Sequence, residues 1–313
     1  MKVFVAGSTG AIGRVLVPQL VENGHEVIAL VRNDRKAEPL LAVGAKVAVA
    51  DALNKEELTA VIRKAEPEVI IHQLTALAHA GNLKKLDDEF VLTNRFRTEV
   101  TDTLLAAARL VGARRFIAQS FCGWPFAREG GPVKAEEAPL DPNPPTRFAK
   151  ILAAIRYLED TVQKTVDLQA LALRYGPFYG PGTGIAKDGP VIKLVRKRML
   201  PIVGDGAGIW SFIHIHDAAR ATVAAVSSGN PGIYNIVDDE PAPVTTWLPA
   251  LARVLGAKPP YRVPVWLGKL AIGEGGVSMM TQIRGGSNAK AKREFGWEPT
   301  YQTWRRGFVE GLG

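Results

Sequence analysis

Cysteine is nearly missing from this chain: Cys122 is the only one in 313 residues. A single thiol forms no internal disulfide and supplies no paired thiolates to a metal, so the fold must rest on its apolar core. No apolar run reaches transmembrane length, and "MKVFVAG" passes straight into a strand pattern with no room for a leader peptide. Clusters of basic residues interleaved with aromatics are missing too. The net charge of +8 is dispersed among acidic residues, which argues against a nucleic-acid groove and suits a small anionic ligand. These absences predict a soluble, cytoplasmic protein with neither a membrane nor a nucleic-acid partner. With 47% hydrophobic residues the chain can bury a sizeable core, in one large unit or two unequal ones.

What is present is a regular alternation. Strand patterns at Lys2–Ala6, Glu26–Val31, Lys46–Ala50, Val69–His72, Arg115–Gln119 and Leu168–Leu173 are separated by helical ones. The helical patterns end near Glu22 and cover Lys55–Lys64, Thr93–Val111 and Ala149–Gln163. Pro18, inside the first of them, should cost a hydrogen bond and kink it. This alternation predicts an α/β fold of the doubly wound, Rossmann type, with a parallel sheet covered on both faces. After Arg174 glycine and proline become dense, and the alternation stops. Residues 1–174 and 202–240 are therefore expected to form the sheet unit, and residues 175–201 and 241–313 a smaller substrate-binding unit.

"GSTGAIG" follows the first strand and opens the first helix. Gly7, Gly10 and Gly13 allow a tight turn and a close approach of the backbone to a pyrophosphate, which the helix N-terminus then faces. A nicotinamide dinucleotide is the expected cofactor. The second strand ends at Val31, where an NAD enzyme would carry an acidic residue for the ribose hydroxyls, and Arg32 follows. A guanidinium matches a 2′-phosphate, so NADPH is predicted over NADH.

The chain resembles the extended short-chain dehydrogenase/reductase superfamily, the nucleotide-sugar epimerases and dehydratases with their atypical relatives. The likeness is carried by "GSTGAIG", "VADAL", "TNRFRT", "LALRYGPFYGPG", "FIHIHDAARA", "GIYNI" and "NAKAKREFGWEPTY", from Val3 to about Gly307. It implies cofactor contacts from Thr9, Ala11 and Ile12 in the loop and from Asp51 and Ala52 at the adenine. Further contacts are implied from Leu74, Thr75, Asn94, Ser120, Lys150, Tyr175 and Gly176. It also implies a homodimer built from the two long helices.

At the chemical end the pattern departs. The superfamily places a Tyr and, four residues on, a Lys beside a Ser or Thr, so that the tyrosine can exchange a proton with the substrate as hydride moves. Aligned on Lys150, the tyrosine position reads Thr146; a register shifted by one pairs Arg147 with Ile151. The catalytic hydroxyl position reads Phe121, leaving Ser120 as its neighbour. The candidate catalytic residues are therefore Ser120, Lys150 and Tyr179, with Tyr175 and His79 as other candidates for the proton and Tyr157 as packing. On the substrate side, Trp210 and Ser211 stand where nucleotide-sugar enzymes carry Arg-Asp, pointing to a flat, apolar or aromatic small molecule. Trp124, Phe126 and Trp266 are candidates for its pocket, and Arg284 for an anion. His214 and His216 alternate along a strand pattern, so no metal pair is expected. The resemblance implies an NADP-dependent oxidoreductase that reduces a carbonyl or conjugated double bond. The alternatives are a nucleotide-sugar epimerase or dehydratase, and a catalytically silent NADP-binding redox sensor.

Overall fold

A computed structural model describes residues 1–77 and 86–313. Seven strands form one parallel sheet: β1 (Lys2–Ala6), β2 (Glu26–Val31), β3 (Lys46–Val49), β4 (Val69–His72), β5 (Arg115–Phe121), β6 (Gln169–Tyr175) and β7 (Gly232–Ile236). Their order is β7-β6-β5-β4-β1-β2-β3. β1 lies between β2 and β4, with Val3 opposite both Val27 and Val69. The strand order reverses there, which opens a crevice at the carboxyl ends of β1 and β4, the place where open α/β sheets bind ligands.

Successive side chains of a strand point to opposite faces, so each face of the sheet has its own core. Val3, Val5, Ile71 and Ile117 pack with Leu16 and Leu20 of helix α1 (Gly13–Glu22), and with Ala218 and Ala221 from Ile215–Ala225. Phe4, Ile70 and Phe116 pack on the other side. There they meet helix α2 (Lys55–Ala65), and Leu104 and Leu158 from two later helices. α1 runs through Pro18 as one helix.

The helix expected over Thr93–Val111 is longer and interrupted. α3 (Leu86–Arg95) leads into a π-helical turn, Phe96–Val100, and then α4 (Thr101–Leu110). The turn buries Phe96, Arg97 and Val100. Helix α5 (Ala149–Lys164) packs against this composite helix and against β5 and β6. Helix α6 (Ile215–Ala225) packs on α1. A third apolar cluster, with Ile192, Phe212, Trp247, Leu251, Trp304 and Phe308, lies mainly in the later third of the chain. Above it runs α7 (Val265–Thr281), broken at Gly273, whose φ of 73° and ψ of 177° are open only to glycine. Among the described residues no helix is long and apolar enough to cross a membrane.

Candidate active site in the sheet crevice

The glycine loop sits between β1 and α1, as the sequence implies. Gly7 has φ +99°, and a Cβ there would lie 2.5 Å from the Gln73 carbonyl carbon at the end of β4. A Cβ on Gly13 would lie 2.2 Å from the Gly7 oxygen. The loop is thus closed tightly on itself and on β4, with Gly10 and Ala11 left exposed at its tip. The amide of Gly10 donates to the Gly7 carbonyl (3.1 Å), which turns the open end of α1 outward. Ile12 is buried beneath it and Thr9 is half-buried. At the end of β2, Val31 is buried and Arg32 is exposed, with no ion pair to a described residue. Beyond β3, Asp51 is exposed, closes a turn by accepting from the Leu53 amide (3.0 Å), and is followed by half-buried Ala52. Leu74 and Thr75, half-buried, follow β4, and the Ala76 amide donates to Thr93 Oγ (3.0 Å). Asn94, one residue on, has a buried Oδ1 with no partner. An open-ended helix, tight glycines and an exposed guanidinium at the β2 end together fit a dinucleotide phosphate.

The other half of the crevice differs from the sequence expectation. Ser120 is buried, and its hydroxyl donates to Glu159 Oε1 at 2.6 Å. The same carboxylate takes two bonds from Arg174, from Nε at 2.8 Å and from Nη2 at 2.6 Å. Both partners of that pair are 3% exposed, so this is a buried, bidentate ion pair between α5 and β6. The Ser120 proton is committed to it and is no free donor to a substrate. The pair also fixes which face of α5 meets β5. Residues four apart share a helix face, so Glu159 brings Ile155 and Ile151 to the strand end with it. Both isoleucines are buried, in a cluster with Phe148, and Phe90, Phe121, Trp124 and Met279 pack against it. Lys150 is exposed, as are Thr146 and Arg147. A shift of one residue turns a helix by about 100°, and this turn sets Lys150 on the exposed side of α5. At the superfamily's four-residue spacing, the face that meets the strand end carries two isoleucines beside Phe121. Among the described residues the acid on this face is Glu159, already held by Ser120 and Arg174.

The remaining tyrosines are structural. Tyr175 is 1% exposed; its hydroxyl accepts from Gln73 Nε2 (2.9 Å) and bonds Thr222 Oγ (2.6 Å), which donates to the Ala218 carbonyl. Tyr179 is fully buried among His214, Tyr301 and Phe308, and its hydroxyl has no partner. Burial pushes both phenols well above their ordinary range. Both rings are buried, where the sequence leads one to expect Tyr179 in catalysis and Tyr175 at the cofactor. Gly176 is buried against the Ser211 carbonyl, 2.2 Å from where its Cβ would stand. Tyr157 faces outward and donates to Asp102 (2.6 Å). His79 lies outside the described residues. His214 and His216 do not face opposite sides: α6 begins between them, and their rings stack at 5.3 Å. No cluster that could hold a metal ion occurs among the described residues.

Beside the isoleucines runs a narrow cleft lined by Phe121, Trp124, Pro177, Trp210, Met279 and Ile283, with Cys122, Gly123 and Ser211. Trp124 and Trp210 line it together. The indole N–H of Trp210 donates to the Met279 carbonyl (3.0 Å), which fixes the ring in the wall. Phe126 is instead buried under Arg174, and Trp266 is 65% exposed away from the cleft. Arg284 donates to the Arg128 carbonyl. Sequence reasoning missed Glu159, Ile155, Met279 and Arg97. The last is 6% exposed on the π turn, with its guanidinium 5.8 Å over the Phe90 ring.

Comparison with known proteins adds four findings. The family model of the NAD dependent epimerase/dehydratase family matches residues 3–237. A 3-diazoavenalumate denitrifying reductase from a Streptomyces species is 44% identical, over 100% of this chain and 99% of that protein. A UDP-glucose 4-epimerase of Mycolicibacterium smegmatis is 24% identical, over 96% of this chain and 94% of that one. Among solved structures, the UDP-glucose 4-epimerase of Thermotoga maritima with UDP-glucose superposes with a TM-score of 0.76 at 24% identity, covering 100% of this chain and 97% of that one.

Proposed function

The chain belongs to the NAD-dependent epimerase/dehydratase family, and on that premise we propose that it is an NADPH-dependent reductase that removes the diazo group of a flat organic acid as N2. The observation that carries this reading is the apolar catalytic face. Ketone reduction builds an alkoxide that needs a proton from a positioned acid, and Phe121, Ile151 and Ile155 offer none. Reductive loss of nitrogen ends in an uncharged gas and a C–H bond, so no acid has to stand at the site of hydride delivery. Bound NADPH would supply a hydride to the ring carbon that carries the diazonium group; the new C–H bond uses the hydride pair, the carbon–nitrogen bond breaks with its pair leaving on N2, and no proton is taken up. The diazo substrate and denitrifying activity in the name of the 44% identical relative support the same choice.

The chain's own residues would hold the reactants. Gly7, Thr9, Gly10, Ala11, Ile12 and Gly13 would hold the pyrophosphate, Asp51 and Ala52 the adenosine end, and Leu74, Thr75 and Asn94 the inner part of the crevice. Trp124 and Trp210 would sandwich or edge the flat substrate, and Phe121, Ile151 and Ile155 would keep water from its reacting end. Residues 175–201 and 241–313 would supply most of the substrate wall. A homodimer through α4 and α5 is part of the proposal; exposed Leu110 and Tyr157 on these helices suit it.

The test is turnover. Purified protein given NADPH and an aromatic diazo carboxylate should release one N2 per NADPH oxidised, counted by gas mass spectrometry. The rate should stay level between about pH 6 and 9, since no titrating group serves the hydride step. NADPH oxidation by simple ketones at a comparable rate, or activity on nucleotide-sugars, would sink the reading. NADPH binding without any oxidation would favour the sensor alternative.

Cofactor choice is tested separately. Arg32→Ala should weaken NADPH binding about tenfold or more and leave NADH unchanged, because only the 2′-phosphate loses a charge-assisted contact. Equal affinities for both cofactors in the unmodified protein would refute the assignment.

A further inference from the structure

The Arg97 side chain has no hydrogen bond or ion pair to a described residue, and its Nη1 is buried without a partner. A charge taken out of water this far is ordinarily paired. Burial lowers its pKa to about 10, which still leaves it a cation at neutral pH. The carboxylate whose charge acts on it, Glu159, is already held by Arg174 and Ser120. His72, also within reach of its field, is held neutral by burial, with a pKa of about 4. Among the described residues no carboxylate is left over for Arg97: only the Glu159 charge acts on it, while Glu136, the other buried acid of the group, acts on Arg174 and accepts from the Asn235 amide. The guanidinium also sits at a place of consequence. The Phe90 ring beneath it packs on the Phe148–Ile151–Ile155 cluster, together with Phe121 and Trp124 of the cleft wall. A π turn, a costly irregularity that recurs at functional sites, presents it there.

We propose that Arg97 is the substrate-binding residue for a carboxylate, taking the acid group of a flat ligand whose apolar body lies against the Phe90, Phe121 and Trp124 side of the cleft wall. This rests on the reductase reading for the ligand's class. The cofactor phosphates are not its partners: the pyrophosphate belongs with the glycine loop and the 2′-phosphate with Arg32. A carboxylate arriving with an apolar body supplies the missing charge in a site that excludes water, where such a pair is strongest.

The experiment measures binding, not turnover. NADPH-loaded protein is titrated with cinnamate and with its neutral methyl ester, for the unmodified chain, Arg97→Met and Arg97→Lys, alongside urea unfolding of each without ligand. The unmodified chain should prefer the acid. Arg97→Met should lose about a hundredfold in affinity for cinnamate, keep the ester within about threefold, and unfold at no lower urea, since it removes an unpaired buried charge. Arg97→Lys should restore part of the acid preference. No acid preference in the unmodified chain, equal loss of both ligands, or loss of stability in Arg97→Met would each overturn the inference. Arg97-dependent acid binding without diazo turnover would uphold it while removing the reaction assigned above.

Discussion

Replacing Glu159 by alanine is expected to cost about 3–5 kcal/mol of folding stability, because it leaves the Arg174 guanidinium buried without its charge partner. Arg174 keeps only a single contact to the Glu136 backbone carbonyl (3.2 Å) and a position over the Phe126 ring. Ser120 loses its acceptor at the same time. The pair is not thereby a source of net stability. A buried ion pair costs two desolvations, and apolar residues of similar volume often serve as well. The double replacement Glu159→Leu with Arg174→Met should therefore recover most of what the single one loses. Urea unfolding of the three proteins checks this. A double variant no more stable than Glu159→Ala would show that the pair itself, and not the orphaned charge, carries the energy. The pair's lasting contribution is orientation, since it fixes the turn of α5 about its axis and so selects Ile151 and Ile155 as the residues at the strand end.

That division explains what the sequence could reveal. The sheet was legible because each strand is buried on both faces and reads as a local apolar run, and the glycine loop because its three glycines lie within seven residues. Arg32 follows directly from the end of β2. The orientation of α5 was not legible, since it is set by Ser120 and Arg174, 39 and 15 residues away from Glu159. Lys150 looks like the remnant of the superfamily's Tyr–Lys pair only when it is assumed to face inward. Tyr179 lies in a glycine- and proline-rich stretch that suggests a crevice, yet the aromatic rings of the late helices close over it. Arg97 was hidden for a different reason: a π turn breaks the 3.6-residue period from which buried helix positions are read.

Gly13→Ala should abolish useful cofactor binding, with an NADPH affinity about a hundredfold weaker or worse. The added Cβ would stand 2.2 Å from the Gly7 oxygen and 2.6 Å from the Ser8 carbonyl carbon. These are backbone atoms, and no side-chain rotation relieves the contact. Relief needs α1 to move off β1 or the loop to open, and either change takes the helix amides away from the pyrophosphate they would face. Stability should fall too, since Leu16, Val17 and Leu20 of the same helix lie in the core. Gly24→Ala separates the two effects. Gly24 has φ +77° with nothing within 4 Å of its would-be Cβ, so alanine there should cost about 1 kcal/mol of strain and leave NADPH affinity unchanged. Fluorescence titration with NADPH and urea unfolding of both variants decide the matter. If Gly13→Ala bound NADPH within threefold of the unmodified chain, the loop would not be the phosphate cradle, and the reductase reading would lose its cofactor site.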